Sequence, residues 1–151
     1  MAAAAVGAMA VALYLQEVLG QHPCPLCISQ RACMISIALL AFVAAMLNPK
    51  RTGQRLWGCL LLLAAGSGGL LAGRQVWLQH LPADQVPACG PGLAYLFQNF
   101  PLQQAIKVLF MGDGNCAEVS WSFLGISIAG LSLIAFIGFA LIATVQIMRK
   151  S

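Results

Sequence analysis

HPCPLCISQRACMISIALLAFVAAMLN, residues 22–48, decides the architecture. A polar turn carrying two cysteines gives way at Ile28 to an apolar run through Leu47 whose one full charge is Arg31. About 20 predominantly apolar residues make an α-helix long enough to cross the roughly 30 Å hydrocarbon layer of a bilayer. Three comparable runs flank this one, Ala2 to Leu19, Leu56 to Leu78 and Val119 to Met148. The chain is 60% hydrophobic and 8% charged, against about 45–50% and about 25% in an ordinary soluble domain. The expected fold is therefore all-α: one integral-membrane domain over residues 1–151, a four-helix transmembrane bundle with spans near 2–19, 28–47, 56–78 and 119–148.

The net charge of +4 is too small, and its basic residues too scattered, for a nucleic-acid surface. Their placement carries more. Lys50, Arg51 and Arg55 in the loop NPKRTGQR, with Arg149 and Lys150 in the tail, put five of the eight basic residues on one side of a four-crossing chain. Cytoplasmic loops are enriched in Lys and Arg, so both termini are expected inside and loops 20–27 and 79–118 outside. In a bacterium this describes a multi-pass inner-membrane protein with its loops in the periplasm. A cleaved signal peptide is the competing reading of the first run; the missing basic n-region argues against it. Met1 leads straight into alanines with no polar flank, as a clipped start would.

Four of the six cysteines fall in the outer loops, Cys24 and Cys27 in the first, Cys89 and Cys116 in the second. Disulfides form and persist on that side of the membrane. Cys33 and Cys59 lie within apolar runs and read as small buried hydrophobes. A structural staple suits Cys89 and Cys116, which would close a long loop worth roughly 3–4 kcal/mol in the chain-entropy model. It suits CPLC badly, because a ring between cysteines three apart constrains little chain and that spacing recurs in redox motifs. A zinc site normally shows two close pairs, and Cys89 and Cys116 are far apart, so no metal is expected; His22 and His80 read as interfacial polar residues.

Pro25 fits the first turn of a helix, which places Cys27 near the start of the second span. Unpaired amides and the positive end of the helix macrodipole favour a thiolate there. Arg31, four residues on, shares that helical face and adds its own charge. An arginine at the lipid boundary is costly unless it snorkels, and snorkelling accounts well for Arg74. A thiolate and a guanidinium on one face are instead suited to a membrane-soluble acceptor whose reduction develops negative oxygen, such as a quinone.

PCPLCISQR, PACGPGLAYL and GDGNCAEVSWSFLG together resemble the bacterial disulfide bond formation protein B family, DsbB, over nearly the whole chain. The resemblance implies an inner-membrane oxidase that reoxidises the periplasmic thiol oxidase DsbA and passes two electrons to ubiquinone or menaquinone. It implies redox disulfides Cys24/Cys27 and Cys89/Cys116. Cys89 would be attacked by the reduced partner, Cys116 would then attack Cys24, and Cys27 would face a quinone whose oxygen Arg31 holds. A partner of the DsbA class is a strong oxidant, at about −120 mV, so ordinary protein disulfides cannot reoxidise it. Gln30 stands where some members have an acid, and Gln75 matches a histidine of other members, making it the second expected quinone contact; His80 is the competing match.

LAYLFQNFPLQQAIKVLF, between Gly92 and Gly112, has apolar positions at helical spacing on both sides of Pro101, and two short interfacial helices are expected. Gly69 and Gly73 form a GxxxG pattern expected to pack inside the bundle. Glu17 and Glu118 read as interfacial polar residues, with proton relay to a quinone as the alternative. Two rival functions stand beside the main one. A vitamin K epoxide reductase-like oxidoreductase also joins four helices, CxxC and a quinone, but normally places its shuttle pair before the CxxC. A disulfide-stapled tetraspan scaffold would show no thiol chemistry at all.

Overall fold

A computed structural model describes residues 1–20, 24–82, 84–90, 95, 98–119 and 121–148. Five α-helices occur among the described residues: α1 (Ala2–Leu19), α2 (Pro25–Leu47), α3 (Arg51–Gln79), α4 (Leu102–Met111) and α5 (Ile128–Met148). Helices α2, α3 and α5 are long and apolar enough to cross a bilayer, and α1 is a shorter apolar helix. At 1.5 Å rise per residue, the 18 residues of α1 reach about 27 Å. Large apolar side chains, Leu39, Leu63, Leu70 and Leu141 among them, are exposed along these helices, the surface that a bilayer covers. The chain is a multi-pass helical membrane protein.

The polar loop NPKRTGQR is shorter than its composition suggests. Asn48 caps α2 in the left-handed region at φ 38°, its backbone N–H donating to Ala44 O, and after Pro49 and Lys50 the next helix has already begun at Arg51. Along the bundle α1 packs on α2, α2 on α3, and α3 on α5. The centre joins Ile37, Leu61, Ala65, Ala72, Phe136 and Phe139.

Close approach of α3 to α5 comes from a glycine other than those of the expected GxxxG pair. A methyl on Gly68 would lie 2.2 Å from the Phe136 ring, whereas one on Gly69 would make ordinary contact at 3.7 Å and one on Gly73 would meet nothing within 4 Å. The ring of Phe136 fills the space that a side chain at Gly68 would need.

The apolar run from Val119 divides. Ser122–Phe123 and Ile126–Ser127 pair as a two-stranded antiparallel hairpin before α5 begins at Ile128. Its turn residues, Leu124 at φ 52° and Gly125 at φ 82°, are both left-handed, as a type I′ hairpin turn requires. Glycine adopts that conformation freely and leucine does not. The Ser127 hydroxyl accepts from Gly130 N–H at 3.2 Å, closing the first turn of α5, and donates to Gln79 Oε1 at 2.7 Å.

Helix α4 supplies one of the two expected interfacial helices; most of the residues of the other, around Leu93, Leu96 and Phe97, lie outside the described residues. Side chains of the bundle bind the carbonyls at the end of α4. Ser29 Oγ donates to Leu109 O at 3.0 Å, and Arg74 Nε donates to Met111 O at 2.8 Å while its guanidinium lies over the Trp77 ring. These bonds satisfy orphan carbonyls of the last turn. Arg74 thus holds a specific partner in addition to reaching the interface.

Candidate functional site

Three structural decisions bring the cysteines together. Pro25 opens α2 with Cys24 as its N-cap, and the Cys27 backbone N–H donates to Cys24 Sγ at 3.3 Å. The first helical turn thereby folds the two sulfurs to 2.9 Å from each other. Next, α4 ends at Gly112, whose φ of +77° turns the chain back onto the bundle; a methyl there would lie 2.7 Å from Leu26 Cδ1. The chain then enters a 3-10 turn, Gly114–Cys116, that buries Cys116 in one apolar cluster with Cys24, Leu26, Leu71 and Leu78.

Cys89 is exposed but reaches the same turn. Gly114 N–H donates to Ala88 O at 3.3 Å, and a methyl on Gly114 would come 2.4 Å from Pro87 O and 3.0 Å from Cys89 Sγ. Only a glycine admits so close a strand of backbone. Cys33, half-buried in α2 near Ser67, packs against the edge of that cluster, whereas Cys59 is exposed on α3.

Cys24 is the central sulfur. Hydrogen bonding with Cys116, then with Cys27, and burial push the Cys24 thiol up, while the same bond with Cys24 draws the Cys116 thiol below its usual range against the opposing effect of burial. A thiol that donates stays protonated, and the sulfur that accepts is stabilised as an anion. In the reduced protein Cys116 thus stands beside Cys24 as the acceptor of its hydrogen bond.

Cys27 lies on the wall of a cavity of about 420 Å³ whose lining includes Arg31, Gln75, Met34 and Phe136. Residues of α1 and α5 both line it, and Val11, Val119 and Phe123 of the lining are exposed. Gln75 Nε2 donates to Cys27 Sγ at 3.3 Å and to Cys24 Sγ at 3.5 Å, and Gln75 Oε1 accepts from the buried Gln30 at 2.6 Å. Arg31 reaches across to α1, donating to Gln16 Oε1 and, at 3.3 Å, to Ala12 O. His80 turns back on its own helix, with Nδ1 2.8 Å from Val76 O, so of the two matches Gln75 is the one beside the thiols.

Residue reading missed Gln16, and it noted Gln30 only as standing where some family members have an acid. Both are uncharged amides on otherwise apolar helices, and each acquires meaning only through a partner on another helix. It also missed Trp121 and Phe123, whose rings stack 6.1 Å apart and line the cavity. Glu118 lines the cavity as well, whereas exposed Glu17 lies beside Gln16. No group of three or more metal-binding side chains occurs among the described residues.

A family model described as disulfide bond formation protein DsbB matches residues 1–146. The chain is 53% identical over 149 residues to the disulfide bond formation protein B of Saccharophagus degradans, covering 99% of this chain and 90% of that protein. It is 48% identical over 147 residues to the protein of the same name in Hahella chejuensis, covering 97% and 89%. For that of Stutzerimonas stutzeri the identity is 43% over 142 residues, covering 94% and 87%.

Proposed function

This chain belongs to the DsbB family of disulfide bond formation proteins, and from that premise we propose that it is a quinone-dependent thiol oxidase of the bacterial inner membrane that reoxidises a periplasmic DsbA-like partner. The observation that carries the reading is the position of Cys24, with Cys116 on one side and, on the other, Cys27 on the cavity wall. The sulfurs form a path from the loop face into the bundle.

A thiolate of the reduced partner attacks Cys89 Sγ of a Cys89–Cys116 disulfide. That bond breaks, a mixed disulfide forms, and Cys116 leaves as a thiolate. The partner's second thiol displaces Cys89, so the partner departs oxidised. Cys116 attacks Cys24 of the Cys24–Cys27 disulfide, and Cys27 leaves as the thiolate. The Cys89 thiolate then attacks Cys116 of the new Cys24–Cys116 disulfide and Cys24 leaves, so the outer disulfide is restored, both electrons lie on Cys24 and Cys27, and one disulfide has been given to the partner. The amides at the start of α2 favour an anion at Cys27, and Gln75 donates to the same sulfur.

Ubiquinone or menaquinone bound in the cavity supplies the two-electron acceptor. The residues suit such a ligand: the volume lies in the range of small-molecule sites, the walls are mainly apolar, and the polar groups converge at one end near Cys27. Arg31, fixed by Gln16, presents a guanidinium to an oxygen that becomes anionic. Both termini are cytoplasmic and both cysteine loops periplasmic in this reading, in keeping with the basic residues of 50–55 and 149–150.

Mixing the purified chain with reduced DsbA-like protein and ubiquinone, while following quinone absorbance, tests the proposal. Steady quinone loss together with oxidation of the partner is expected. Absence of quinone reduction under conditions where another family member turns over would refute it.

A further inference from the structure

Asp113 is a buried acid that the relay of sulfurs leaves unused. It is 5% exposed and stands at the N-cap of the 3-10 turn that carries Cys116, yet its side chain makes no capping hydrogen bond. An aspartate at that position ordinarily turns back to accept from the first amides of its own helix. Here the carboxylate bonds to a side chain instead. Oδ2 accepts from Asn115 Nδ2 at 3.1 Å, and the same amide reaches Gly90 O at 3.4 Å. A methyl on Gly90 would lie 3.1 Å from Oδ2.

Gly90 follows Cys89 directly and Asn115 precedes Cys116, so this polar bridge joins the segment of one cysteine to the turn of the other. The backbone runs alongside it, with Gly114 N–H donating to Ala88 O and Cys116 N–H to Asp113 O at 3.0 Å. Burial of a carboxylate is unfavourable unless its hydrogen bonds define something. Oδ1 has no hydrogen-bond partner among the described residues, so within them Oδ2 alone carries the bridge.

We propose that Asp113 is a positioning residue that acts through Asn115 to clasp the Cys89 segment to the Cys116 turn, holding Cys116 beside Cys24 and letting Cys89 leave with an incoming protein thiol. The clasp gives purpose to the close packing at Gly90 and Gly114. It presupposes the relay proposed above, but its principal test needs no turnover.

The test labels the full-length reduced chain with iodoacetamide and follows each cysteine by mass spectrometry. Asp113→Ala removes the acceptor; Asn115→Ala removes the bridge from an exposed position where folding is not at issue; Asp113→Asn keeps an oxygen in place. Loss of a hydrogen bond of this kind is worth about a factor of ten. Cys116 is expected to label about tenfold faster in both alanine variants, with Cys33 unchanged, and Asp113→Asn should stay within about twofold of wild type. In partner-driven turnover, Asp113→Ala should lower kcat while leaving the quinone KM unchanged. Unchanged Cys116 labelling in both alanine variants would overturn the clasp, and so would an asparagine variant as fast as the alanine one. Wild-type protein that reduces no quinone would sink the relay, and the labelling rates would still decide the clasp.

Discussion

Cys24 and Cys27 stand on the first turn of a membrane helix, tied by a backbone N–H, a proline and the Gln75 amide. Cys89 and Cys116 are joined by different means: one is exposed on a segment outside any helix or strand, the other is buried in a three-residue turn, and among the described residues glycine contacts, one backbone hydrogen bond and a polar bridge connect them. Under the proposed function the contrast separates two tasks. A pair that meets a small membrane-soluble acceptor gains from rigidity, since fixed donors and dipoles need no reorganisation. A pair that meets another protein has to surrender one member to it and keep the other at home.

The comparison breaks most severely at the inner pair. Cys27→Ser is expected to lower quinone reduction at least about a thousandfold, because residues acting as one unit fail together; residual turnover within tenfold of wild type, read by quinone absorbance, would contradict its place in the path. Arg31→Ala leaves the sulfurs intact. It should raise the quinone KM about ten- to hundredfold, the worth of a hydrogen bond to a charged group, with kcat at saturation within a few-fold. An unchanged KM would reduce Arg31 to an anchor.

Gly112 marks the border between the two regions. Gly112→Ala combines a left-handed backbone with a methyl 2.7 Å from Leu26, and about 1–3 kcal/mol of destabilisation is expected. Thermal unfolding would report it, with partner-driven turnover falling further than turnover driven by a small dithiol. The smallest effect is electrostatic. Hydrogen bonding from Cys24 holds the Cys116 thiol low, so in the reduced protein the Cys116 thiolate persists as pH falls below the ordinary thiol range. The stability it adds is present above the unfolded pKa, near 8.5, and is lost only as pH drops through the folded one. Cys24→Ala removes the donor, and thiolate ultraviolet absorbance should then titrate at higher pH.

The same contrast explains what residue order reveals. CPLC with Pro25 and Arg31 is a local pattern on one helix, so its geometry follows from helical spacing alone, and the long apolar runs announce α2 and α3. Helix α1 is legible for the same reason. Gln16, Gln30 and Asp113 acquire partners only when separate elements pack, and nothing in their neighbourhoods distinguishes them from ordinary polar residues. The hairpin before α5 is concealed because Trp121 to Ile128 is apolar enough to merge with the helix that follows. Its signals were Gly125 and the serines at 122 and 127, too few to outweigh the hydrophobic run. Close packing was assigned to Gly69 and Gly73 by their spacing, whereas Phe136 selects Gly68.

The central claim is that Cys116 passes electrons to Cys24. A chain carrying Cys27→Ala and Cys89→Ala leaves each of these two sulfurs without its other partner, and gentle oxidation followed by non-reducing peptide mapping reads where they go. A Cys24–Cys116 disulfide in most of the protein is predicted. Two thiols that remain free to alkylate, in a folded protein, would contradict the relay.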